Sequence, residues 1–164
     1  MKHIRLIWML VVAVAFMACG DNEEERIYTI DDLVGVYNGQ FVERVAGADY
    51  ATATLNVEIT KTGANTISLA IDDFQASPGD PATGRPATMM SNTVVRNVRV
   101  ENVGNGQFRL VCDELEARGD YGTTPFDFEG TFEGTWSFGV TQFTMSFQMG
   151  RMPYPVEATF IGTK

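Results

Sequence analysis

Phe126-Asp127-Phe128-Glu129-Gly130-Thr131-Phe132-Glu133-Gly134-Thr135-Trp136 decides the fold class. Every even position is aromatic or glycine, and every odd position is acidic or threonine. A period of two held through eleven residues describes a strand with one face buried and one in water. A helix would bring Asp and Phe onto the same face every turn.

The same period recurs on both sides of this segment. After Gly139, Phe143, Met145, Phe147 and Met149 alternate with polar residues, and Val156, Ala158 and Phe160 close the chain. Upstream, Phe108, Leu110 and Cys112 follow the turn Gly104-Asn105-Gly106. Before that turn, Val94, Val98 and Val100 mark a strand whose apolar face Arg96 interrupts. Ala51, Ala53, Leu55, Val57 and Ile59 turn through Thr62-Gly63-Ala64-Asn65 into Ile67, Leu69 and Ile71, a hairpin. An opening strand runs from Val36 to Val42, behind a short helical turn at Thr29-Ile30-Asp31-Asp32. Eight consecutive strands joined mostly by short turns predict an all-β fold, an eight-stranded antiparallel up-and-down barrel. Gly35, Gly39, Gly130 and Gly134 inside strands favour the coiling that closure needs over a flat sandwich. Eight strands enclose packed side chains or one small ligand.

The amino terminus reads differently. Lys2 and Arg5 precede thirteen apolar residues, Leu6 to Ala18, which is the pattern of a signal peptide. Phe16-Met17-Ala18-Cys19 resembles the lipobox of bacterial lipoprotein precursors, although Phe16 stands where an aliphatic residue is usual. That resemblance implies cleavage before Cys19 and acylation of its thiol. Gly20-Asp21-Asn22-Glu23-Glu24-Glu25 then forms a self-repelling tether, either a plain spacer or an export signal. The expected organisation is a signal peptide at 1–18, a lipidated Cys19 with its acidic tether at 19–28, and a barrel at 29–164.

Composition excludes more than it includes. Without the leader, ten basic residues face twenty-one acidic ones, a net charge of −11. That balance opposes nucleic-acid binding and electrostatic docking on anionic lipid, so the acyl anchor has to provide the membrane association. His3, the one histidine, lies in the leader. The mature part therefore lacks the imidazole of Ser-His and Cys-His nucleophile systems and of the common zinc and copper sites. No metal and no cofactor is expected, and the protein reads as a non-enzyme. With Cys19 acylated, Cys112 is left as a small buried hydrophobe.

Several segments in order give the mature chain a resemblance to the calycin-like β-barrel lipoproteins of Gram-negative envelopes, relatives in shape of lipocalins and avidins. These are Val34-Gly35-Val36-Tyr37-Asn38-Gly39, Val57-Glu58-Ile59-Thr60-Lys61 with its Gly-Asn turn, Ile67-Ser68-Leu69 ending at Phe74, Val98-Arg99-Val100, and Met152-Pro153 to Phe160-Ile161-Gly162. The resemblance implies an eight-stranded barrel on a lipid anchor in the cell envelope, expected at the outer membrane, often with a ligand cavity. It supplies no catalytic residues.

Two functional readings stay open. In the first, Phe128, Phe132, Trp136, Phe143 and Phe147 line a cavity for a small hydrophobic ligand, or else pack into a solid core. Gly130 and Gly134 between these rings leave room for a ligand or let neighbouring rings fill the gap. In the second reading the core is solid and the surface binds a protein or glycan, in the manner of a proteinase inhibitor's loop. The Pro- and Gly-rich stretch Ala76 to Met90 and the shorter Arg118 to Pro125 are its candidate loops. Asp72-Asp73 and Asp113-Glu114-Leu115-Glu116 lack the spacing of a calcium loop and read as solvated strand ends.

Overall fold

The computed structural model describes residues 26–77, 82–84, 86–148 and 155–164. Within them a short 3-10 turn, Ile30–Asp32, precedes ten strands. These are β1 (Gly35–Val45), β2 (Ala48–Lys61), β3 (Thr66–Ile71), β4 (Phe74–Ser77) and β5 (Thr88–Gly104). They continue with β6 (Gln107–Cys112), β7 (Glu116–Tyr121), β8 (Thr124–Ser137), β9 (Val140–Gln148) and β10 (Val156–Thr163).

All pairings are antiparallel, and they close. Each strand position pairs with the next along the chain, and β10 returns to β1 in the register Asn38↔Thr163 to Val45↔Val156. Ten segments make eight positions because two strands are broken. β3 and β4 both pair with β5 and are interrupted at Asp72-Asp73. β6 and β7 both lie between β5 and β8 and are interrupted at Asp113-Glu114-Leu115. The two acidic clusters are thus the break points of the wall. Asp72 accepts hydrogen bonds from the backbone N–H and side-chain amide of Asn56 at 3.0 and 2.8 Å. The fold is the eight-stranded up-and-down barrel that the alternation predicts.

β5 departs from that simple alternation. Asn92 and Asn97 adopt left-handed backbone, φ 52° and 54°, which asparagine tolerates better than most residues. Each sits where the ladder slips register, and each side-chain amide is held by a β7 carboxylate, Asn92 by Asp120 at 2.8 Å and Asn97 by Glu116 at 2.6 Å. The slip at Asn97 changes the phase of the strand: Val95, Val98 and Val100 face inward, whereas Val94 and Arg96 turn outward. Arg96 therefore does not interrupt the apolar face; the bulge moves that face by one residue.

The inner face carries Tyr37, Phe41, Val57, Ile59, Leu69, Leu110, Phe132, Trp136, Phe143 and Phe160, all buried. The outer face carries Glu58, Thr60, Arg99, Arg109, Glu129, Glu133 and Glu157, all exposed. That outer surface is not the apolar band a membrane-spanning barrel turns to lipid. Among the described residues no helix is long and apolar enough to cross a membrane.

Gly130 and Gly134 leave no gap between the inward rings. A Cβ on Gly134 would stand 2.6 Å from the Gln142 carbonyl oxygen and 2.8 Å from the Phe143 Cβ. A Cβ on Gly130 would run into the Ser146 carbonyl and stand 2.8 Å from the Phe147 Cα. Tight coiling brings the backbone of β9 into the space that a side chain on β8 would need.

Candidate functional site

The two poles of the barrel are built differently. At the N-terminal pole the turn Ile30–Asp32 lies across the opening, fixed by the Thr29 N–H donating to the Asp32 carboxylate at 2.8 Å. That bond, with Arg26 beside it, holds the Asp32 carboxyl below its ordinary range. Leu33 plugs the interior with no exposure. Beneath it the Tyr37 hydroxyl donates to the Leu33 carbonyl at 2.8 Å and accepts from the Trp136 indole N–H at 2.7 Å. Burial pushes the Tyr37 hydroxyl up from its ordinary pKa, with the Trp136 hydrogen bond acting in the opposite direction. Tyr28 and Phe108 lie against the Trp136 ring, each at 5.7 Å between centroids, and the pole is sealed.

The middle of the barrel is a packed aromatic stack. Phe132 meets Phe143 at 5.3 Å, and Phe143 meets Phe160 at 5.2 Å. Further along, Phe147 meets Phe128 at 4.7 Å, and Phe128 meets Phe126 at 5.2 Å. Of the five rings singled out in the sequence, Trp136 belongs to the sealed pole, Phe132 and Phe143 to the middle, and Phe128 and Phe147 to the far pole. They do not converge on one pocket.

At the far pole the side chains shrink. Inward positions on β1, β2, β4, β7 and β10 are filled there by Glu43, Ala51, Ala53, Ala76, Ala117 and Ala158, with Gly119 beside them. Glu43 was not singled out by sequence reasoning. It follows Tyr37, Gly39 and Phe41 in the inward phase, and an acid in that phase was the available signal. It is 2% exposed, and its ladder partners are Ala51 on β2 and Ala158 on β10. A bulge beside it makes Arg44 pair with Asp49, leaving Tyr50 as the extra residue. Arg44 points outward and bonds Asp49 at 2.8 Å, so it does not neutralise Glu43. Among the described residues no Lys or Arg is buried and none pairs with Glu43. Burial without compensation pushes the Glu43 carboxyl up to about 7.

Among the described residues two buried hydroxyl groups also lack a partner, Thr93 on β5 and Thr141 on β9 opposite Trp136. A Cβ on Gly119 would stand 2.7 Å from the Thr93 oxygen and 3.1 Å from the Met90 sulfur.

The sequence-derived loop candidates fare unevenly. Arg118 to Pro125 is not a loop: β7 runs to Tyr121, β8 starts at Thr124, and a tight turn at Gly122, φ 63°, joins them. The stretch Ala76 to Met90 is narrower than its composition suggested, because β4 continues to Ser77 and β5 begins at Thr88. Met90 is buried opposite Phe74, and Met89 is exposed. Positions 78–81 and 85 of this stretch, like Cys19 and the acidic tether to Glu25, lie outside the described residues. Cys112 is buried, and its thiol donates to the Glu114 carbonyl at 2.8 Å across the β6–β7 break. No group of His, Cys, Asp and Glu among the described residues could hold a metal ion. On the outer face, Arg109, Glu133, Thr135, Gln142 and Thr144 line an open groove of about 530 Å³.

Comparison with known proteins agrees with this architecture. The family model of the calycin-like β-barrel domain matches residues 33–163. Among solved structures, the crystal structure of "a putative outer membrane protein" from Bacteroides fragilis NCTC 9343 is similar, with a TM-score of 0.64 and 24% identity. The match covers 82% of this chain and 52% of that one, so the chain spans about half the length of that protein. No curated protein matches.

Proposed function

This chain belongs to the calycin-like β-barrel family, and from that premise we propose a non-catalytic, lipid-anchored envelope protein that carries a small molecule with a hydrophobic body in the far pole of its barrel. The observation that carries this reading is the unequal filling of the interior. One pole is closed by Leu33, Tyr37 and Trp136, while the other combines alanines with the Phe128–Phe147 wall and the buried carboxyl of Glu43. A site of apolar lining with a few inward polar groups is what small-ligand recognition uses.

Anchoring rests on the leader, the Phe16–Cys19 segment and the acidic residues behind it. The description of the structural neighbour as an outer membrane protein is in keeping with that location. Absence of histidine from the mature part supports a binding rather than a catalytic role. A second reading, a surface module for a protein or glycan partner, draws support from the outer groove between Arg109 and Gln142.

Native mass spectrometry of the protein extracted gently from its host's envelope tests the first reading. A reproducible added mass, lost on denaturation, is expected. A bare protein mass from fresh envelope, together with capture of a macromolecular partner that substitutions at Arg109 and Glu133 abolish, transfers the function to the groove.

A further inference from the structure

An isolated carboxyl group in a protein interior is costly, and burial of this kind normally comes with a cation or several donors. Glu43 has neither among the described residues. The ionisable groups on the flanking strands at this level are Arg44, Asp49, Tyr50 and Glu157. Arg44 bonds Asp49 at 2.8 Å and approaches Glu157 at 3.8 Å on the outer surface, and Tyr50 is 40% exposed. On β7, Tyr121 is partly buried against the core. None of them is paired with Glu43, and the residues directly opposite it are Ala51 and Ala158.

We propose that Glu43 is the recognition group of the barrel, and that the ligand it selects is an organic amine whose protonated nitrogen meets this carboxylate while its apolar body lies among Ala53, Ala158 and the Phe128–Phe147 wall. This rests on the small-molecule reading above and narrows it to a chemical class. An ammonium group fits on two grounds. It supplies the counter-charge and N–H donors that Glu43 lacks among the described residues, and the faces of aromatic rings attract cations. A carboxylic acid ligand would place like charges together. A simple alcohol would leave the charge uncompensated. A bare metal ion would need further oxygen ligands, and the facing strands supply methyl groups instead.

Three probes of one shape separate these cases: 2-phenylethylamine, 2-phenylethanol and phenylacetate, titrated calorimetrically at pH 8 into the full chain in detergent. The amine is expected to bind at least tenfold more tightly than either of the others. Glu43→Gln should remove that preference while 2-phenylethanol still binds, which shows that the pocket and fold persist. On the unaltered protein, the carboxyl ¹³C resonance of Glu43 should titrate at lower pH once the amine is bound, and should not move with the alcohol. Equal binding of all three probes, or an amine preference that survives Glu43→Gln, overturns the assignment of Glu43 and leaves the ligand-carrying reading standing. Absence of binding by all three overturns the amine proposal as well; the ligand-carrying reading then stands or falls separately on the added mass of the native extract.

Discussion

Replacing Glu43 by glutamine should stabilise the protein by an amount that grows as pH rises from about 4.5 to 7 and is constant above that. In the folded chain the carboxyl is held at about 7, against an ordinary value of 4.5, so the folded state keeps a proton that the unfolded state gives up. Below about pH 4.5 both states are protonated and Glu43 imposes no ionisation penalty. As pH rises from there to 7, the unfolded state loses its proton first and stability falls. Above 7 both states are ionised and the penalty is constant. At about 1.4 kcal/mol per pH unit of displacement, the full loss is on the order of 3 kcal/mol. Glutamine has nearly the same shape and does not titrate. The difference in unfolding free energy, variant minus parent, should therefore be roughly 2–3 kcal/mol larger at pH 8 than at pH 5. Urea unfolding of both proteins at the two pH values measures it, and titration of the other carboxylates cancels in the subtraction. A variant that is equally displaced at both pH values, or weakened most at pH 8, would refute the picture of an uncompensated buried acid.

Other perturbations test the remaining parts of the structure. Tyr37→Phe strands the Trp136 N–H and deprives the Leu33 carbonyl of its donor, so a loss of about 1–3 kcal/mol is expected in urea unfolding. Phe132→Ala empties a site between Phe143 and the β6 wall and should cost roughly 3–5 kcal/mol; a loss below about 1 kcal/mol with the fold intact would mean the ring is not close-packed. Gly130→Ala drives a methyl group into the Ser146 carbonyl, and the expected outcome is loss of cooperative unfolding or of soluble expression; Gly47→Ala, whose methyl meets nothing within 4 Å but whose φ of 78° is left-handed, should show the smaller cost of backbone strain alone, about 1 kcal/mol. Cys19→Ala should end labelling by radioactive fatty acid and shift the protein from membrane to soluble fractions or leave an uncleaved precursor; persistent labelling would refute the lipobox.

Much of the barrel is legible in the sequence because closure of an antiparallel wall writes a period of two into every strand. Phe126 to Trp136 shows it without interruption, and its even positions face inward as expected. Legibility fails where the wall is broken or bulged. Nothing in the order Val94-Val95-Arg96-Asn97-Val98 announces that Asn97 will take up left-handed backbone and move the apolar face by one residue. Arg118 to Pro125 looks like a loop because it is polar, yet a barrel strand needs an apolar residue only at inward positions, and there Ala117 and Gly119 suffice. The candidate site was harder still. The aromatic alternation runs the whole length of the barrel, so it includes Phe128 and Phe147 at the far pole without distinguishing them from Phe132 and Phe143, which pack on one another in the middle. The far pole is distinguished by small residues and one misplaced charge, and alternation treats Glu43 as a break in pattern rather than a group turned inward.

The seam between β1 and β10 has a consequence for how the molecule comes into being. Asn38 pairs with Thr163, so the first strand synthesised finds its second partner only after all the others exist. Until then β1 has one edge bonded to β2 and the other bare, with Phe41 and Tyr37 uncovered. Closing a loop of that length adds little entropy beyond a shorter one, but it places the decisive contact late in time. Folding should accordingly be slow for a chain of this size, and the vulnerable species is an open sheet with two sticky margins.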